Sequence, residues 1–135
     1  MIAIACGDRK WANKDIVKKV FEGFKLNLLA IIEGEARGAD SIAREVAYSL
    51  GIPVLPVPAE WDKYGKPAGP IRNRKMLKFR QAYPDHIKQI IAFHNNIKAS
   101  IGTRDMCTIA KQVNIPVWVF SERENFFNSY SISLF

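Results

Sequence analysis

Cysteine is scarce in this sequence. Only Cys6 and Cys107 occur among 135 residues, one ending an apolar run and the other inside a helical pattern. Nothing else in the chain points to an oxidising compartment, so two reduced, buried thiols are expected. With the two histidines, His86 and His94, they show none of the close paired spacings of zinc ligands. No metal and no other cofactor is therefore expected. No apolar run approaches the roughly 20 residues that a membrane helix needs, which removes a membrane partner. The apolar run at residues 1–6 has no basic segment before it and is cut short by Asp8, Arg9 and Lys10. It reads as a buried strand of a cytoplasmic protein rather than a signal peptide. Internal repeats, low-complexity tracts and domain linkers are also missing, as are a Walker loop and a G-x-G-x-x-G fingerprint.

What is present suits one domain. Apolar residues make up 48% of the chain, enough for a core. The net charge is +7, unevenly spread: residues 60–88 hold eight Lys or Arg against three acids. A local excess of this kind serves a small polyanion as well as a nucleic acid.

Strand-like and helix-like segments alternate. Residues 1–6, 28–32, 53–57, 87–93 and 116–120 are apolar and strand-length. Pro53 and Pro56 confine the third to an edge. Between them, Asn13, Asp40 and Thr103 can cap helices whose apolar residues recur at three and four. Pro70 fits the first turn of a further helix reaching about Ala82. Such alternation predicts an α/β, Rossmann-like three-layer domain over residues 1–120, with about five parallel strands in the order 3-2-1-4-5. The order reverses between strands 1 and 4, where open α/β sheets bind ligands. The tail at residues 121–135, with Phe126, Phe127, Tyr130 and Phe135 among polar residues, either packs back on the domain or makes a subunit contact.

Bases crowd positions where a helix dipole disfavours them: Arg37 before the second helix, Arg72, Arg74 and Lys75 at the start of the third, and Arg104 after Thr103. An anion among them would explain the recurrence; otherwise they reach into solvent. Gly34-Glu35-Ala36-Arg37-Gly38-Ala39-Asp40 joins a strand to a helix, and glycines there let backbone amides approach a phosphate. Ser100 and Thr103 flank Gly102 in a similar turn. The long loop from residue 58 offers Trp61 and Tyr64 for stacking, and Glu60 and Asp62 for ribose hydroxyls or acid–base work. Plainer readings compete at each place: tight turns, an unliganded cap, and acids paired with Lys63 and Lys66.

Four segments in this order resemble the YspA/cpYpsA-related SLOG family: Gly7-Asp8-Arg9-Lys10-Trp11, the 34–40 stretch, residues 58–73 ending Ala68-Gly69-Pro70-Ile71-Arg72-Asn73, and Gly102-Thr103-Arg104-Asp105-Met106. The resemblance covers about residues 1–120. It implies a Rossmann-like fold related to the lysine-decarboxylase-like LOG proteins, which remove the base from a nucleoside monophosphate. It also implies sensing or processing of a nucleotide-derived ligand, and a homodimer. The LOG loop Pro-Gly-Gly-x-Gly-Thr-x-x-Glu falls on residues 98–106, where its paired glycines become Ala99 and Ser100 and its glutamate becomes Met106. LOG-type hydrolysis would then need another carboxylate.

The candidate ligand-binding set is Gly7, Asp8, Arg9 and Trp11; Gly34, Arg37, Gly38 and Asp40; Trp61, Arg72 and Asn73; and Ser100, Gly102, Thr103 and Arg104. The candidate catalytic carboxylates are Glu35, Glu60 and Asp62. The expected function is binding of a nucleotide-type small molecule. The alternatives are N-glycosidic hydrolysis of a nucleotide and nucleic-acid binding through residues 63–88.

Overall fold

A central strand of a parallel sheet is covered on both faces, so its residues are apolar without alternation. The first strand, β1 (Ile2–Gly7), meets this condition, with Ala3, Ile4 and Ala5 all buried. The computed structural model describes residues 1–123 and 130–135, without the side chain of residue 88. After β1 come α1 (Lys14–Phe24), β2 (Ala30–Glu33), α2 (Ala39–Ser49) and β3 (Val54–Pro56). There follow α3 (Trp61–Tyr64), α4 (Ala68–Ala82), β4 (Ile87–Phe93), α5 (Gly102–Gln112), β5 (Val117–Glu122) and β6 (Tyr130–Leu134). One single-turn 3-10 helix, Ile97–Ala99, precedes α5.

The sheet has six strands in the order β3-β2-β1-β4-β5-β6. The first five are parallel, and β6 pairs antiparallel with β5. The expected sheet of five parallel strands is thus a mixed sheet of six. The addition comes from the tail, which returns to the domain as β6. Phe126 and Phe127 lie outside the described residues. On one face, α1 and α2 pack Val17, Phe21, Ala43 and Val46 against Ala3, Ala5, Ile31 and Phe93. On the other, α4 and α5 pack Met76, Met106, Ile109 and Ala110 against Ile4, Ile32, Ile90 and Ala92.

The helix starts depart from expectation in physically informative ways. Asn13 does cap α1, its side-chain oxygen accepting the Ile16 N–H at 3.2 Å. Asp40 does not cap α2; Gly38 holds that position, and the Asp40 carboxylate turns back to accept the Ala36 N–H at 3.2 Å. Thr103 does not cap α5 either, because the helix has already begun at Gly102. Ser100 Oγ accepts the Thr103 N–H at 3.1 Å, and the Thr103 hydroxyl donates to the Gly7 carbonyl at 2.9 Å. The third expected helix starts at Ala68, two residues before Pro70, and the short α3 precedes it. No described helix is long and apolar enough to cross a membrane.

Candidate functional site

Parallel strands end together, so the turns that follow them share one edge of the sheet. The β1 turn is anchored there by its backbone. Asp8 N–H donates to the Phe93 carbonyl at 2.9 Å, and the Asp8 carbonyl accepts Trp11 N–H and Ala39 N–H at 3.0 Å each. The Ala39 bond ties the start of α2 to the β1 turn. Gly38 permits it: its φ is +76°, and a Cβ would strike the backbone of Asp8 and Arg9.

Arg72 reaches from α4 to the β2 turn and donates to the Gly34 carbonyl. A Cβ on Gly34 would collide with the Arg72 guanidinium and with the Asp40 carboxylate. The glycine therefore makes room for the protein's own cation. Arg72 Nε donates to Asn73 Oδ1 at 3.1 Å, and Asn73 Nδ2 donates to the Gly102 carbonyl at 3.2 Å and to Asp105 at 3.0 Å. One chain of hydrogen bonds thus fastens α4 to the turns before α2 and α5.

These turns enclose a hollow of about 690 Å³ at the end of β1 and β4, where the strand order reverses. A smaller one of about 310 Å³ adjoins it over the β2 turn. Gly7, Asp8, Arg9, Asp40, Trp61, Arg72, Asn73, Ser100, Gly102 and Thr103 line the larger hollow. Gly34, Glu35 and Arg37 line the smaller one, together with Arg9, Trp61 and Arg72. Arg9 lies over the Trp61 ring, 5.6 Å from its centroid, in a cation–π contact.

Five expected site residues lie elsewhere. Trp11 is in the core, with its ring 5.8 Å from Phe93 and its Nε1–H donated to the Asn13 carbonyl at 3.0 Å. Gly38 serves the packing just described. Glu60, just before α3, and Asp62 within it are exposed and line neither hollow. Arg104 turns outward and donates to the Lys98 carbonyl at 3.0 Å. Two other bases at helix starts also face away: Arg74 donates to Pro70, and Lys75 is exposed. The recurrence of cations at helix starts therefore gathers Arg37 and Arg72 but not the rest.

Ionisation in this region follows burial. Asp40 is pushed up to about 6 by desolvation, against the Ala36 amide and the nearby Arg72 cation. Burial lowers Arg72, with Asp40 opposing, and the guanidinium stays protonated. Sequence reasoning missed Glu33, a fully buried acid immediately before Gly34 at the end of β2. Its Oε2 accepts the Glu35 N–H at 2.6 Å, while Oε1 has no hydrogen bond and lies 3.7 Å from Arg44. Desolvation lifts its pKa to about 7.

His94 was also missed as a site residue, although it directly follows β4 at the switch point and lines the larger hollow. Its Nδ1 accepts the Asn96 N–H at 2.9 Å, which assigns the proton to Nε2, 3.9 Å from Asp8 Oδ2. Burial lowers its pKa, with Asp8 opposing, so the ring is neutral at pH 7. Met106 is buried in the wall of the hollow. Among the described residues, no group of three or more His, Cys, Asp or Glu could hold a metal ion.

The fold and the site together define an α/β protein with a hollow at its topological switch point that both cations and acids line. No protein-family model matches the chain. It is 35% identical over 100 residues to the Gene 61 protein of Mycobacterium phage D29, covering 70% of this chain and 74% of that protein. The chain belongs to the same family as this phage protein.

Proposed function

We propose that the protein binds a nucleotide-type ligand, with its phosphate on Arg9 and Arg72 and its base against Trp61. The observation that carries this reading is the convergence of two guanidinium groups and an exposed indole on one hollow at the switch point. The volume lies within the usual range of small-molecule sites, roughly 300–1,000 Å³. The resemblance to the SLOG family agrees with a nucleotide-derived ligand, and membership in that family is part of the proposal.

A thermal-shift screen of mononucleotides against the native chain tests it. Binding to the folded state raises Tm by mass action, about 2.7 kcal/mol of stabilisation at a hundredfold excess over Kd. The shift should vanish in Arg9→Ala, which gives up only the cation–π contact with Trp61 and so largely keeps its own Tm. An undiminished shift in Arg9→Ala, or no shift with any nucleotide, contradicts the reading.

A second reading, N-glycosidic hydrolysis, has one specific support. Glu60 and Asp62 lie outside the hollow, but Asp8 lines it with its carboxylate one-third exposed, beside His94. In that reading Asp8 stabilises the developing positive charge at the ribosyl centre. Release of free base, lost in Asp8→Asn while nucleotide affinity persists, is the expected outcome.

A further inference from the structure

The two edges of the sheet are finished differently. At one, β3 is preceded by Pro53 and ends in Pro56, and proline withholds an N–H from any further strand. At the other, β6 reads Tyr130-Ser131-Ile132-Ser133-Leu134, without proline, glycine or charge. The usual guards of a free edge are missing from this strand.

The pairing with β5 fixes which backbone groups face outward. Phe135 N–H donates to the Val117 carbonyl at 3.0 Å, and Ser133 and Ser131 follow it as hydrogen-bonded partners of β5. The N–H and C=O groups of Tyr130, Ile132 and Leu134 therefore point away from β5, along the open edge. The side chains of these three lie on the sheet face that α1 and α2 cover elsewhere, where Tyr130 packs on Phe120. Ile132, opposite Phe120, is 54% exposed, and Leu134, opposite the exposed Trp118, is 64% exposed. An open ladder and an apolar strip thus coincide on one strand.

We propose that β6 pairs antiparallel with β6 of a second copy of this chain, about a twofold axis at Ile132. Symmetry and charge identify the occupant. An antiparallel strand of the same sequence sets Ile132 against Ile132 and Tyr130 against Leu134 in both directions, so every outward N–H of the strand meets a carbonyl. The exposed Ile132 side chains come side by side, and no like charges face each other across the strands, although each chain carries +7 overall. The tail then does both things its composition suggested: it packs on its own domain and makes the subunit contact.

Sedimentation equilibrium of the full chain over a rising concentration series tests this. The native chain should show a monomer–dimer equilibrium. Ile132→Lys, which opposes two ammonium groups on the axis, should weaken it at least about tenfold in Kd. Ile132→Pro, which removes an outward N–H and no bond to β5, should do the same. The Tm of each variant at low concentration, where the native chain is also monomeric, checks that the fold is kept. Position 132 also reports the register. Mild oxidation of Ile132→Cys should join two chains by a disulfide, since hydrogen-bonded antiparallel partners are about 5.5 Å apart at Cα. Ser133→Cys meets its counterpart two residues out of register, roughly 8 Å away, and should not. Cys6 and Cys107 are buried and stay out of the reaction. A native chain that is monomeric at every concentration overturns the proposal. So does a dimer that survives both Ile132 substitutions, or one in which Ser133→Cys cross-links as readily as Ile132→Cys.

Discussion

The turns after β2 and β4 border adjoining hollows and are held by different forces. The β2 turn rests on buried charge. Glu33, Asp40 and Arg72 surround it, and Glu35 has a left-handed φ of 55°. The β4 turn rests on neutral hydrogen bonds among His94, Asn96, Ser100, Thr103 and the Gly7 carbonyl. Buried charge is costly when a partner is removed, whereas a neutral network is indifferent to protonation until its histidine charges. The two turns should therefore respond in opposite ways to pH and unequally to substitution.

Arg72→Met should have the largest effect. It removes the donor to the Gly34 carbonyl and the cation near Asp40. A loss of about 3 kcal/mol in urea unfolding at pH 8 is expected. The loss should shrink at pH 5, where Asp40 is protonated. An equal loss at both pH values would mean that packing, rather than charge, holds the turn.

The pH dependence of the native chain comes next. Glu33 has a folded pKa of about 7 against an ordinary 4.5. Its contribution to stability is complete below pH 4.5 and is lost as pH rises through 7, on the order of 3 kcal/mol. Asp40 acts in the same direction between 3.8 and about 6. His94 acts oppositely: its lowered folded pKa makes the unfolded chain bind the proton first, so stability falls as pH drops below 6.5. Denaturant melts across pH 4–8 should show Glu33→Gln flattening the alkaline decline and His94→Gln flattening the acid one. If neither variant changes the profile, the contrast between the turns is wrong.

The smallest effects belong to a glycine pair. Gly34→Ala should cost about 1–3 kcal/mol, because the new methyl displaces Arg72 and Asp40. Gly102→Ala meets open space in the first turn of α5 and should stabilise by about 0.4–1 kcal/mol. Thermal melts of the two variants should move in opposite directions.

This contrast also explains what could be read from the sequence. The apolar runs of β1 and β4 are local signals, and so is Asn13 as a cap, since each depends on neighbours within a few residues. The β6 strand was hard to read because the alternation of Ser131 and Ser133 with Ile132 and Leu134 spans only a few residues. The role of Asp40 was hidden because its main influences include Arg72, thirty-two positions away. Trp11 and Trp61 both accompany turns with the same kind of composition, yet one packs on Phe93 and the other under Arg9. Only the third dimension separates them. Glu33 carried a usable signal, an acid ending an apolar strand just before a glycine turn, and burial makes it unusual.

The most direct test of the central claim is amide chemical-shift mapping of the labelled protein with a saturating nucleotide. The account predicts that the largest shifts fall on Gly7, Asp8, Arg9, Ala36, Gly102 and Thr103, together with the Trp61 indole. Shifts confined to the outer face of α4, around Arg74, Lys75 and Lys78, would contradict it and favour a surface that binds nucleic acid.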